Sequence, residues 1–327
     1  MDEEKDLFES RVDLTKLAQS ISQIKTEISK VIVGQEKSID LIITALLADG
    51  HVLIEGVPGV AKTLISKLMA KVIEAKYSRI QFTPDLMPSD ILGTSIFNQK
   101  ETVFEFNPGP IFSQIVLIDE INRAPAKTQA ALFEVMEERQ VTIDGTTHIM
   151  EEPFLVLSTQ NPIEQEGTYR LPEAQLDRFL FKVSIGYPDL KEEIAILSTH
   201  HERGTVKSTD QINAVLKSED LLDYRKKVKQ IHIEEPLMKY IAEIVHATRQ
   251  NKSIYLGASP RASVHLMNAS KAYAALQGRD FVTPEDIVFT AIPVMGHRII
   301  LTPEKEMEGG RSEEVLHQLI EKIEIPR

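Results

Sequence analysis

The chain of 327 residues contains no cysteine, which excludes disulfides and thiolate metal sites and fits a reducing compartment. It has no apolar stretch of membrane-spanning length. Its first residues, Met-Asp-Glu-Glu-Lys-Asp, hold neither the basic nor the apolar region of a secretory signal. A cytoplasmic protein without membrane insertion is the expectation. Basic charge is also in short supply: 37 Lys and Arg against 49 Asp and Glu leave a formal charge of −12. That disfavours nonspecific nucleic-acid binding by the whole surface, although a local basic groove stays open. Internal repeats and low-complexity stretches are lacking. The nine histidines form no spaced pair with carboxylates of the metal-site kind, so they read as structural or surface residues.

What is present is ordinary globular material, 42% apolar and 26% charged, in a length that exceeds one core. One larger and one smaller domain are expected. The stretch that organises the rest is His51-Val-Leu-Ile-Glu-Gly56-Val57-Pro58-Gly59-Val60-Ala61-Lys62-Thr63. Val52 to Ile54 form a short apolar run, and from Leu64 the apolar residues fall at helical spacing. A glycine loop between a strand and a helix N-terminus presents backbone N–H groups and the positive end of the helix dipole to an anion. The phosphate-loop consensus is met everywhere except at its second glycine, which is Ala61. With helical dihedrals the Ala61 methyl costs little; with positive φ it is strained.

Residues 1–30 suggest a leading helix, with Leu14, Leu17, Ile21, Ile24 and Ile28 at helical spacing, and Gly34-Gln35 breaks the pattern before a second one. Residues 78–82 form a candidate strand. Alternation over 91–97 and 102–106 suggests a hairpin, as does Asp144-Gly145 between the runs of 140–149. The first hairpin region is acidic, unlike a nucleic-acid hairpin. Ile115 to Ile118 is an apolar strand ending in Asp119-Glu120, the composition of a strand buried on both faces. Beside a phosphate cradle, the Asp suits a magnesium ion and the Glu suits an attacking water, while in isolation the pair reads equally well as a helix cap. A strand over 153–159 ends in Gln160-Asn161-Pro162, where the amide either meets a terminal phosphate or forms a turn. Arg178 precedes a fifth strand, as a structural ion pair or as a finger reaching a neighbour's nucleotide; such fingers are worth roughly 10³ to 10⁵ in rate. After residue 187 the pattern is helical, with Pro236, Pro260 and Pro284 at helix starts. Arg261 in a first turn opposes the dipole preference, which either a nearby anion or plain solvation explains. Glu304 to Gly310 reads as a mobile polar loop.

These motifs, in this order, resemble the AAA+ ATPases. Gly56-Val-Pro-Gly-Val-Ala61-Lys62-Thr63, Asp119-Glu120-Ile-Asn-Arg123-Ala, Thr159-Gln-Asn161-Pro-Ile-Glu-Gln-Glu-Gly-Thr and Leu171-Pro-Glu-Ala-Gln-Leu-Asp177-Arg178-Phe are similar to blocks of the MoxR family, in which Ala at position 61 is common. The resemblance covers about residues 14 to 300. It implies an α/β fold: a P-loop AAA+ core with a five-stranded parallel sheet and hairpin insertions (31–187), after an N-terminal helical segment (1–30) and before an all-helical lid domain (188–327). It implies ATP and Mg2+ as cofactors. Gly56, Val57, Pro58, Gly59, Val60, Ala61, Lys62, Thr63 and Leu64 would hold the phosphates, with Gly34 and Gln35 beside the adenine. Thr63 and Asp119 would hold the magnesium, and Glu120 would activate water. Asn161 matches sensor 1, Arg178 the arginine finger and Arg261 sensor 2. Tyr169-Arg170 departs from the family's Tyr-Pro, which makes Arg170 a candidate second interface cation. A homo-oligomeric ring, expected to be a hexamer, would remodel a client protein together with a separate partner carrying a von Willebrand factor A domain. A DNA-directed motor and a nucleotide-gated switch are the alternatives; the acidic insertions oppose the first and Glu120 the second.

Overall fold

The computed structural model of the protein describes residues 12–161, 169, 171–203 and 206–326. Two compact units result. Ile24–Ile39 and Asp49–Leu222 make one, and the described residues of Met1–Gln23, Asp40–Ala48 and Asp223–Arg327 make the other. The described residues of 188–222 thus group by contact with the sheet-bearing unit. Two helices lead in, α1 (Thr15–Ser29) and α2 (Glu36–Leu47). Leu17, Ile21, Ile24 and Ile28 bury the stripe that their spacing predicts.

The longer segment of the sheet-bearing unit begins with β1 (His51–Gly56), α3 (Lys62–Val72), β2 (Tyr77–Gln81) and the short α4 (Pro88–Leu92). A hairpin of β3 (Gly93–Asn98) and β4 (Val103–Pro108) precedes β5 (Ile115–Asp119). A 3-10 turn over Ile121–Arg123 leads into α5 (Ala126–Glu138), then a second hairpin of β6 (Gln140–Ile143) and β7 (Thr146–Ile149). β8 (Leu155–Gln160), α6 (Glu173–Leu176), β9 (Phe179–Ile185) and α7 (Leu190–Arg203) follow.

Five of these strands form one sheet in the order β2-β5-β8-β1-β9, and every pairing is parallel. Ile115 to Ile118 are wholly buried because helices cover both faces, which is what their unbroken apolarity demands. Register sets Gln81 opposite Asp119, Ile118 opposite Ser158 and Ile54 opposite Thr159. The carboxyl ends of β1, β5 and β8 therefore line up along one edge, where parallel sheets hold their ligands. Behind them lies an apolar core that includes Leu53, Phe82, Leu132, Phe154 and Phe179. His51 belongs to that core: its Nδ1 accepts from Val156 N–H (3.0 Å) and its Nε2 lies 3.3 Å from the Met136 carbonyl, a satisfied structural histidine.

The two hairpins touch each other. Ser95 Oγ donates to Asp144 Oδ2 (2.5 Å), and the Phe106 and His148 rings stack at 4.1 Å. Between them runs an open groove of about 640 Å³ lined by Leu92, Thr94, Phe104 and Ile143 among others. Ile96, Phe97, Val103 and Phe104 stay exposed on the first hairpin, Phe104 by 74%.

The chain passes into the second unit within α8 (Ser218–Lys229). There α9 (Glu235–Gln250), β10 (Ile254–Leu256), α10 (Pro260–Leu276), α11 (Pro284–Met295), β11 (Ile300–Leu301), α12 (Pro303–Met307) and α13 (Ser312–Ile320) follow. The three prolines expected at helix starts stand there. Among its described residues the unit is helical apart from the short antiparallel pair β10–β11 and a bridge between His232 and Phe281. One polar anchor of this unit is Asp286. That side chain is 1% exposed, takes a bidentate pair from Arg279 (2.8 and 2.5 Å), and closes a capping box with Thr283 at the start of α11. The expected loop over 304–310 is corrected: residues 303–307 are helical. Thr302 caps them by accepting from Lys305 N–H, Pro303 starts the turn, and Gly309 at φ 78° ends it.

Candidate functional site

The cradle is built from close backbone approach and left-handed dihedrals. At Gly56 a Cβ would sit 2.7 Å from the Ile185 carbonyl, so only glycine lets β1 end beside the end of β9. Ala61 adopts φ 61° and ψ 18° and stands immediately before α3. Of the two conformations weighed from sequence, it takes the strained one. Lys62 Nζ spans the loop to donate to the Gly56 carbonyl (2.5 Å). One turn on, Ser66 Oγ donates to Thr63 O (2.9 Å) and lies 3.4 Å from the Tyr77 hydroxyl, which ties α3 to β2. Burial pushes the Tyr77 phenol above its usual pKa; Asp119 adds to this, and Ser66 and Arg79 oppose it.

Gly34 and Gln35 both hold positive φ, 68° and 59°. Gln35 Nε2 reaches the Val60 carbonyl at 3.5 Å, so the turn expected beside a base lies against the phosphate loop. A Cβ on Gly34 would lie 2.1 Å from Glu192 Oε1, in the first turn of α7. Gln35 Oε1 is buried and has no hydrogen-bond partner among the described residues.

The carboxylates stand at the tip of β5. Asp119 is buried and Glu120 about one-third exposed, the latter turned out of the strand line by left-handed dihedrals (φ 58°, ψ 52°). Thr159 Oγ1, at the same level of β8, donates to Asp119 Oδ1 (3.1 Å) and accepts from Glu120 N–H (3.0 Å). One hydroxyl therefore fixes both residues. Glu120 Oε2 accepts from Gln81 Nε2 (2.7 Å) and pairs with Arg123 Nε (3.1 Å). Asp119 Oδ2 accepts from Arg79 Nε (2.6 Å), and Arg79 Nη2 donates to Gln81 Oε1 (3.2 Å). Arg79, Gln81 and Thr159 are the functional neighbours that the motifs alone did not single out. The alternation of β2 places 77, 79 and 81 on one face, but the significance of that face depends on β5 being its neighbour.

The other expected residues are placed as follows. Asn161 directly follows β8, next to the carboxylate strand, and is buried. Arg178 stands between α6 and β9: Nη1 donates to Ala174 O (2.9 Å), Nε lies 3.6 Å from Glu137 Oε2, and the guanidinium sits 6.0 Å from the Phe133 ring centroid. Arg261 is exposed in the first turn of α10, in the other unit. Arg170 lies outside the described residues.

This donor set fits ATP and magnesium. Asp119 and Thr63 offer hard oxygens of the kind magnesium takes when phosphates complete its shell, and α3 packs against β5 to bring their elements together. The glycine loop admits backbone approach by phosphate, and the orphan Gln35 Oε1 offers a buried acceptor next to it. Among the described residues no helix is long and apolar enough to cross a membrane.

Comparison with known proteins agrees with this geometry. Residues 51–181 match a family model described as the ATPase family associated with various cellular activities (AAA), and residues 246–319 match an AAA lid domain. The chain is 47% identical to the uncharacterized protein YeaC of Bacillus subtilis, over 91% of this chain and 92% of that one. It is 42% identical to Chaperone MoxR1 of Mycobacterium tuberculosis, over 92% of this chain and 81% of that one. A crystal structure from Cytophaga hutchinsonii, described as a candidate ATPase, superposes with a TM-score of 0.88 at 42% identity, covering 96% of this chain and 97% of its own. With a parallel sheet that sets the cradle and paired carboxylates along one edge, an AAA lid downstream and relatives of this closeness, the chain belongs to the MoxR family of AAA+ ATPases.

Proposed function

We propose that the protein hydrolyses ATP in a magnesium-dependent reaction and uses it to remodel or mature a partner protein complex. The supporting observation is the carboxyl edge of the sheet, where Thr159 fixes Asp119 and Glu120 together at the end of a strand against which the cradle helix packs. Lys62 and the backbone of 56–64 bind the β- and γ-phosphates, and Gly34 and Gln35 flank the base. Asp119 and Thr63 hold the cation, which when bound neutralises phosphate charge. Glu120 orients and deprotonates the attacking water, and Asn161 contacts the terminal phosphate. Arg178 completes a neighbouring subunit's site in a ring, taken to be a hexamer, and Arg261 serves as the sensor 2 arginine, for its own subunit's nucleotide or a neighbour's. In this division of labour 31–187 is the nucleotide-binding core and 188–327 the lid.

The name of the 42% identical relative, Chaperone MoxR1, supports a chaperone-like role. The exposed Ile96, Phe97, Val103 and Phe104 on the first hairpin supply an apolar surface for a client, with a separate von Willebrand factor A domain protein as partner. The test is ATP turnover of Glu120→Gln against wild type. Loss of a positioned general base is expected to cost about 10²- to 10⁴-fold. Equal rates would remove Glu120 from the mechanism.

A further inference from the structure

Asp119 already has a cationic partner of its own. Arg79 Nε donates to Asp119 Oδ2 at 2.6 Å, while Asp119 Oδ1 accepts from Thr159 Oγ1 at 3.1 Å. Both carboxylate oxygens are thus engaged, one by a neutral hydroxyl and one by a full positive charge. The pair is asymmetric in its surroundings: the Asp119 side chain is 9% exposed and Arg79 is 47% exposed. A buried carboxylate keeps its place when a long, half-exposed side chain leaves it, and the arginine stem has the reach to swing out toward water. Arg79 is carried by β2, which pairs with β5 so that Arg79 lies opposite Leu117 and Gln81 opposite Asp119. Its guanidinium also donates to Gln81 Oε1 at 3.2 Å, which holds it over the strand tip.

We propose that Arg79 is a displaceable counter-ion that competes with the divalent cation for Asp119, so that loading the cation requires this guanidinium to withdraw. The proposal rests on the reading that Asp119 is the cation's ligand. Arg79 stabilises the carboxylate before the cation arrives and raises the cation concentration needed for half-occupancy. It acts through Asp119, as a positioning residue.

The test is Mn2+ affinity, read by electron paramagnetic resonance in the presence of ADP, for wild type, Arg79→Met, Arg79→Lys and Asp119→Asn. Removing a half-exposed competing charge is expected to tighten Mn2+ binding by about two- to fivefold in Arg79→Met. Arg79→Lys keeps a cation beside Asp119 and should stay near wild type. ADP affinity in EDTA, which reports an intact fold and cradle, should be the same in wild type and the two Arg79 variants. Unchanged or weakened Mn2+ binding in Arg79→Met, with Asp119→Asn strongly impaired, overturns the competition and leaves Asp119 as the ligand. Unchanged Mn2+ binding in Asp119→Asn overturns the ligand reading and the competition with it.

Discussion

Replacing Ala61 by glycine should stabilise the protein, against the usual direction for such a change. Ala61 sits at φ 61° and ψ 18° immediately before α3, where an L-residue's Cβ crowds the following carbonyl. That crowding costs roughly 1–2 kcal/mol, and glycine escapes it. Against this, glycine loses more backbone freedom on folding, which costs about 0.4–1 kcal/mol relative to alanine. The balance favours Ala61→Gly by about 1 kcal/mol, or ~2–4 °C in the melting temperature of a unit of this size. Ala61→Val isolates the cause, because a β-branched side chain at positive φ is worse than alanine and should move the melting temperature down. Both variants are to be melted without nucleotide, followed by far-UV circular dichroism, with ADP affinity measured alongside. A destabilised Ala61→Gly would refute the reasoning, since it would mean that position 61 behaves as ordinary helix with no strain to release.

Two further outcomes follow from the polar anchors. Thr159→Val keeps the shape of residue 159 but removes the hydroxyl shared by Asp119 Oδ1 and Glu120 N–H. About 1–3 kcal/mol of stability should go, and ATP turnover should fall, because the turn that aims Glu120 loses its tether; melting and turnover both equal to wild type would show that the hydroxyl fixes neither residue. Asp286→Ala removes a buried carboxylate and leaves a partly exposed Arg279 without it, at a cost of about 1–3 kcal/mol concentrated in the helical unit. Hydrogen exchange should show α11 losing protection first, and uniform protection would contradict the anchor's local role.

Much of the site was legible because its parts are local. A strand's apolar run, a glycine turn, a lysine and a helix stripe lie within about two dozen residues, and each residue type names its job. The carboxylates at the end of an apolar strand and the Asp144-Gly145 hairpin were readable in the same way. Arg79 and Gln81 were not, because their meaning is set by β2 lying beside β5, with two hairpin strands between them in sequence. Strand order is a property of the assembled sheet. Arg178 left two readings open for the same reason: Glu137 and Phe133, which hold it, come from a helix some forty residues earlier. The conformation of Ala61 could not be read from its identity, since alanine is a good helix former and the left-handed state is imposed by the loop. At 303–307 the signal was present in Thr302-Pro303-Glu304, a cap followed by a favoured first residue; the two glycines that follow mark where that helix ends and made the whole segment look like loop.

The bond between Ser95 and Asp144 and the stacking of Phe106 on His148 join the two hairpins across their groove. Two separate hairpins would present two small surfaces, but a pair held by a polar clasp and an aromatic rivet presents one continuous surface, on which Phe104 is exposed. The same surface is anchored by the chain itself, because α5 runs from the turn that carries Glu120 and Arg123 directly into β6. The carboxylate edge and the hairpin surface are thus two ends of one helix.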